Sequence, residues 1–173
     1  DFYELWPDRF SNKTNGVTPR RFVGLSNPGL RGLLDENIGE GWMVDLSKLR
    51  ALAPLADDPA FGQRWRAVKR ENKARLSDYI AAHTGIVLNP DWLFDVQVKR
   101  IHEYKRQHLN VLHIITAYNR IKQNPDLKIA PRAYIFGGKA APGYHIAKLI
   151  IKLINSVAET VNSDPDVNDR MKV

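Results

Sequence analysis

The chain has 173 residues, of which 43% are hydrophobic and 26% are charged, and its formal net charge is +7. This composition is typical of one globular domain or slightly more, and it excludes a disordered or fibrous protein. The absence of cysteine excludes disulfides, thiolate metal sites and a cysteine nucleophile, and it fits a reducing compartment. We therefore expect a cytoplasmic protein.

The first half of the chain predicts helices and loops. Proline preceded by a small polar residue is typical of a helix start, and glycine is typical of a helix end. We expect a short helix that ends near Gly39 and a long helix that ends at Gly85. The predicted starts or caps are Thr18–Pro19, Asn27–Pro28, Ser47 and Asp57–Asp58–Pro59.

The second half predicts alternating strands and helices. Two buried strands, Leu93–Val98 and Ala133–Phe136, enclose a helix from about 107 to 121. A second helix starts around Pro142, and a third strand begins at Arg170. This order predicts right-handed crossovers and a parallel sheet, which is half of a doubly wound α/β domain.

The positive charge is concentrated in the second half. Residues 1–92 carry 13 Lys and Arg against 12 Asp and Glu, whereas residues 93–173 carry 13 against 7. A basic half indicates an anionic ligand. Nucleic acid, a phosphorylated small molecule and a solvated surface are the alternatives, and no sequence motif favours nucleic acid.

The strongest local feature is the stretch from Val98 to Arg106, in which five of nine side chains are Lys, Arg or His. It lies between a predicted strand end and a predicted helix start, where parallel sheets bind ligands and backbone N–H groups favour anions. We interpret it as a phosphate-binding loop, with a solvated charged loop as the alternative. Gly137–Gly138–Lys139 follows the next strand, and its spacing indicates a tight turn rather than a nucleotide motif.

Three segments, 12–21, 93–107 and 137–145, strongly resemble the glycogen/α-glucan (maltodextrin) phosphorylases, and the resemblance covers essentially the whole chain in order. It implies an α/β fold that is part of a two-lobed glycosyltransferase (GT-B type) fold, with an incomplete Rossmann-like parallel sheet preceded by a helical segment. Residues 1–20 then form the passage from the first lobe, 21–92 a mainly helical segment, and 93–173 the first half of the C-terminal lobe.

The resemblance also implies an activity. The family transfers the terminal glucose of an α-1,4-glucan to inorganic phosphate and releases glucose 1-phosphate, with pyridoxal phosphate as the cofactor. Two phosphate groups then lie close together in one site, which explains the concentration of Lys and Arg side chains in the stretch from Val98 to Arg106. The parent protein is expected to be a homodimer that binds neither nucleic acid nor a membrane, and no metal site is expected.

Residue roles follow from the resemblance alone. Lys99 is similar to the ligand of the cofactor phosphate, Arg100 to the clamp on the substrate phosphate, and Lys105 to a residue that bridges toward both. His102 is similar to a residue that orients its catalytic neighbours. Tyr104 and Asn15 are similar to residues that hydrogen-bond glucose hydroxyls.

Parts of the family pattern do not occur in this sequence. The cofactor lysine of the family lies in a Gly-Thr-Gly-Asn-Met-Lys-like motif, and the first lobe carries a glycine-rich loop. The chain also lacks an initiating methionine. We therefore expect a cut central piece, roughly one fifth of an enzyme, that is inactive alone and that self-associates or is partly molten. A non-catalytic phosphate- or glycan-binding module is the alternative function.

Overall fold

The computed structural model describes residues 1–12, 16, 18–167 and 169–173. The chain is an α/β structure that divides into two units, Asp1–Lys69 and Arg70–Val173. No helix in the described ranges is long and apolar enough to cross a membrane.

The first unit consists of helices and turns. Its buried residues include Leu33, Leu34 and Trp42, and the Trp42 indole donates a 2.8 Å hydrogen bond to the carboxylate of Asp35. Its elements are helix α1 (Phe2–Leu5), a 3-10 helix (Pro7–Arg9), a π-helix (Arg20–Leu25), helix α2 (Pro28–Ile38), two further 3-10 helices (Glu40–Met43 and Leu46–Asp57) and the start of helix α3 (Pro59–Thr84).

The ends of α2 and α3 confirm the predicted signals. The Asn27 side chain accepts a 3.2 Å hydrogen bond from the Leu30 N–H and so caps α2. Gly39 and Gly85 follow α2 and α3 with φ of 72° and 74°, a backbone conformation that glycine adopts without steric cost.

Two predicted helix starts were wrong. Asp45, not Ser47, caps the 3-10 helix, because its carboxylate accepts from both the backbone N–H and the hydroxyl of Ser47, at 3.1 and 2.6 Å. The helix predicted from about Pro142 begins at His145. The preceding residues form a turn, in which the Tyr144 N–H donates to the Ala141 carbonyl at 3.0 Å.

The second unit contains the predicted parallel sheet. Its strands lie in the order β1–β2–β3, and the register pairs Leu93 with Arg132 and Val98 with Gly137. Its elements are β1 (Leu93–Val98), a 3-10 helix (Glu103–Lys105), α4 (Gln107–Gln123), β2 (Arg132–Gly137), α5 (His145–Ser163) and β3 (Met171–Lys172).

Helices α4 and α5 pack with one face of this sheet. The core contains two clusters: Ile114, Ile121, Tyr134, Val161, Val167 and Met171 form one, and Ile101, Val111, Ala147, Ile150 and Ile154 form the other.

The opposite face of the sheet is more open. The Lys73 ammonium of α3 lies 5.2 Å from the ring centroid of Phe94, at the start of this face. Farther along β1, Val96 and Val98 are 52% and 66% exposed. Parallel sheets are usually covered on both faces, and their strands are therefore apolar on both. The face of β1 that carries Val96 and Val98 is of this apolar kind but is exposed.

Candidate functional site

The site is built on the segment that follows β1, residues Lys99–Arg106, which we call the basic loop. Its backbone continues to pair beyond the strand ends: the Lys99 N–H donates to the Gly137 carbonyl at 2.8 Å, and the Ile101 N–H to the Lys139 carbonyl at 3.1 Å. The side chain of Ile101 is buried in the core beneath. The basic loop is therefore held against the segment that follows β2.

Gly138 allows this close approach. A Cβ atom added to Gly138 would lie 2.1 Å from the Lys99 carbonyl oxygen, a distance that backbone atoms cannot tolerate. The tight turn predicted at Gly137–Gly138 was wrong: Gly137 ends β2, the Lys139 carbonyl still pairs with the basic loop, and the turn lies farther on, at Pro142–Gly143. Glycine is required at position 138 because the basic loop passes directly across it.

A buried glutamine at the start of α4 fixes the backbone of the basic loop. Gln107 is fully buried, and its side-chain amide donates to the Arg100 carbonyl at 3.1 Å and accepts from the His102 N–H at 3.5 Å. The Gln97 amide donates to the Lys105 carbonyl at 3.0 Å. Sequence reasoning gave these glutamines no role, although a polar residue on a buried helix face is a usable signal.

Three side chains of the basic loop, those of His102, Glu103 and Tyr104, form a cluster with Tyr144. The Tyr144 hydroxyl donates to the Glu103 carboxylate and accepts from the Glu103 N–H at 3.4 Å. The His102 ring stands edge-on to Tyr104 and Tyr144, with centroids 4.5 and 4.9 Å away. The Tyr104 N–H donates to His102 Nδ1 at 3.3 Å. Because its proton is donated to Glu103, the pKa of Tyr144 is raised.

The site carries unneutralised positive charge. Within the described ranges, no ion pair forms at Lys99, Arg100, Lys105, Arg106 or Lys139. The only carboxylate of the basic loop, Glu103, is already hydrogen-bonded to Tyr144. Lys105 also places its ammonium 4.6 Å from the Tyr104 ring centroid, which favours a fixed cation.

Five of the six residues singled out by sequence lie in the basic loop. Lys99, Arg100, His102 and Tyr104 are exposed, and Lys105 is half-buried. The sixth, Asn15, lies outside the described residues. The described part of the chain contains no cluster of three or more metal-ligating side chains. Chemically, this arrangement is suited to binding oxyanions with ammonium and guanidinium groups.

Comparisons with known proteins show the family to which this chain belongs. The family model for carbohydrate phosphorylases matches residues 1–173. Over 173 residues the chain is 63% identical to the glycogen phosphorylase of Synechocystis sp., 56% to the muscle form of Mus musculus and 55% to the brain form of Bos taurus. Each match covers 100% of this chain but only 20% of the relative. The chain, which spans about a fifth of the length of these relatives, belongs to the carbohydrate phosphorylase family.

Proposed function

We propose that the complete protein that carries this chain is an α-1,4-glucan phosphorylase. It transfers the terminal glucose of the glucan to inorganic phosphate and releases glucose 1-phosphate. The observation that carries this proposal is the set of unpaired cations at the carboxyl end of β1, in a chain that belongs to the phosphorylase family throughout its length. Fixed positive charge stabilises phosphate groups whose mutual repulsion otherwise opposes reaction.

Four residues of the basic loop, together with Asn15, have proposed parts in this reaction. Arg100 binds the attacking phosphate, because a guanidinium offers a two-pronged fork to an oxyanion. Lys105, fixed beside the Tyr104 ring, supplies charge between the substrate phosphate and a second phosphate. Tyr104 and Asn15 hydrogen-bond hydroxyls of the glucose that is transferred, and His102 orients its neighbours.

Pyridoxal phosphate is the proposed cofactor, and the residues present fit its phosphate group. The Lys99 side chain is exposed. Its backbone N–H donates a hydrogen bond to the Gly137 carbonyl, and this bond fixes the backbone that carries the side chain. When bound, the cofactor supplies a phosphate that exchanges a proton with the substrate phosphate. Lys99 and Lys105 would hold this group by charge.

The finer architecture is proposed on the same family membership. The three-stranded sheet is interpreted as part of the second lobe of a two-lobed GT-B fold, with 1–20 as the passage from the first lobe, 21–92 as a helical segment and 93–173 as the start of the second lobe. The complete protein is proposed to be a cytoplasmic homodimer that binds glucan and phosphate but neither nucleic acid nor a membrane.

A non-catalytic phosphate- or glycan-binding module is the second candidate. The same unpaired cations favour it, because anion binding by the basic loop requires no chemistry. The two candidates differ in turnover: only the phosphorylase forms glucose 1-phosphate.

The test measures glucose 1-phosphate formation from glycogen and phosphate by the complete protein. We expect Arg100→Gln and Lys105→Gln each to lower kcat/KM by about a hundredfold or more. Lys152→Gln removes the same charge from the exposed surface of α5 and serves as the matched control. Normal turnover in both loop variants contradicts the residue roles. Phosphate binding without turnover in the unmodified protein supports the binding module instead.

A further inference from the structure

A second cationic cavity lies at the other end of the sheet. It has a volume of about 280 Å³ and is formed by the C-terminal half of α4, the 127–130 connection and the first residues of β2 and β3. Arg132 and Met171, which pair in adjacent strands, stand at its wall. The basic loop follows the carboxyl ends of the strands, so the two sites are at opposite ends. We call this second site the arginine cavity.

Three arginines line the arginine cavity, and its described lining contains no Asp or Glu. Arg120 is exposed, and its guanidinium has no hydrogen bond or ion pair within the part of the chain that the structure describes. Arg132 donates to His113 Nε2 at 3.3 Å and forms an ion pair with the Asp95 carboxylate at 3.6 Å, which leaves other N–H groups of its guanidinium unused. Neither arginine is therefore saturated by protein partners.

The third arginine is fixed in the wall. Arg170 donates to the carbonyls of Pro125 and Asp166 at 2.7 and 3.0 Å. Its buried Nε makes no hydrogen bond within the described residues, although the exposed Asp169 carboxylate lies 3.5 Å away. A buried guanidinium nitrogen without a hydrogen bond is costly, and an anion in the cavity would offset part of that cost by its charge.

The remaining lining is apolar. Ile121 and Met171 are buried at 1% and 2% exposure, and Leu127 and Ile129 complete the floor. The Tyr134 ring, with Arg132 5.6 Å from its centroid, adds an aromatic wall. A bare inorganic anion would satisfy the arginines but leave this floor in contact with water, whereas an apolar body would cover it.

We propose that the arginine cavity binds a small organic anion, a phosphate or carboxylate group attached to a compact apolar or aromatic body. Arg120 and Arg132 bind the oxyanion, and the floor around Ile121 and Met171 buries the body. This inference rests on the cavity alone and does not depend on the proposed activity at the basic loop.

The experiment uses the complete protein and isothermal titration calorimetry with phenyl phosphate, benzoate and inorganic phosphate as probes. All titrations use the Arg100→Gln background, so that binding at the basic loop is weakened. We expect the aromatic probe of higher affinity to bind about tenfold more tightly than inorganic phosphate, because its ring covers the apolar floor and inorganic phosphate has no such group. Whichever aromatic probe is tighter identifies the oxyanion that the cavity prefers.

The decisive comparison adds Arg120→Gln and Arg132→Gln together. We expect at least about a tenfold loss of affinity for the aromatic probe, with no loss in the Lys152→Gln control. If the double variant melts at a lower temperature, the single Arg120→Gln variant decides, because this exposed side chain has no described partner to lose. Unchanged affinity in that variant, equal affinity for inorganic phosphate, or no heat at about 10 mM probe overturns the proposal.

Discussion

The Tyr144 hydroxyl, from the segment after β2, donates a hydrogen bond to the Glu103 carboxylate in the loop after β1. The two residues are 41 positions apart in sequence. This bond occupies the only carboxylate of the basic loop, which would otherwise compete with a bound anion for Lys105 or Arg100. It also connects the two segments that follow neighbouring strands, so the cations of the loop keep one arrangement.

The first prediction concerns this bond. Tyr144→Phe removes the hydroxyl and frees Glu103 to pair with a loop cation. We expect the KM for phosphate of the complete protein to rise about threefold to tenfold, with a smaller change in kcat, because a hydrogen bond to a charged group is lost. Tyr79→Phe, at an exposed tyrosine of α3, is the matched control. An unchanged KM for phosphate in Tyr144→Phe argues against a positioning role.

The second prediction concerns the close approach at Gly138. Gly138→Ala places a methyl group against the Lys99 carbonyl, and the backbone must shift to relieve the contact. We expect the free energy of unfolding to fall by about 1–3 kcal/mol, together with weaker phosphate binding. Urea denaturation measures the first effect.

Gly143→Ala provides the control for this substitution within the same connection. A Cβ atom at Gly143 would meet nothing within 4 Å, so the added methyl group has room. We expect a change within about 0.5 kcal/mol. Equal destabilisation by the two substitutions would show that the contact with Lys99 is not the cause.

The third prediction concerns Gln107. Gln107→Leu keeps the side chain near its original size but leaves the Arg100 carbonyl and the His102 N–H without their side-chain partner. We expect a loss of about 1–3 kcal/mol in the free energy of unfolding. Gln123→Leu, at the exposed end of α4, controls for the same chemical change. A neutral result at Gln107 would mean that water replaces the amide without cost.

The fourth prediction concerns acid stability. The pKa of Asp164 is lowered to about 2 by the Tyr118 hydroxyl, which donates at 2.6 Å, then by the Asp166 N–H and by Lys122. Since this pKa is lower in the folded state than the ordinary value of 3.8, its contribution to stability is present above pH 4 and is lost as pH falls toward 2.

Tyr118→Phe removes the largest cause of that shift. We expect it to destabilise the protein near neutral pH, and we expect the difference from the unmodified protein to shrink between about pH 4 and pH 2. Urea denaturation across this range measures the effect, with Asp126→Asn, at an exposed carboxylate, as the control. A difference that stays constant with pH would assign the effect to loss of the hydroxyl itself and not to the ionisation of Asp164.

The sequence predicts the local features of this fold well and its long-range contacts poorly. The bounds of β1 were predicted to the residue, because a short alternating apolar run ends at a cluster of charges. The start of α5 was predicted too early, because Pro142 is a usual first helical residue but here lies in a turn ahead of Tyr144. The parallel order of the strands followed from chirality rules that need no contacts.

In the candidate site too, local features were predicted from the sequence and long-range contacts were not. The basic loop is contiguous, so its cations were visible in the sequence. The Glu103–Tyr144 bond joins separate crossovers, and Gln107 resembles any polar residue of an amphipathic helix until its burial is known. The arginines of the second cavity come from α4, β2 and the residue before β3, and only strand pairing brings them together.

The hydrogen bond from the Tyr104 N–H to His102 Nδ1 has a consequence for proton placement. An imidazole nitrogen that accepts a backbone N–H holds no proton, so the neutral His102 ring must carry its proton on Nε2. The exposed imidazole therefore offers a donor and no second acceptor. A phosphate or sugar oxygen that approaches the ring can accept a hydrogen bond from its Nε2–H group. An N–H group that approaches the ring finds no free acceptor.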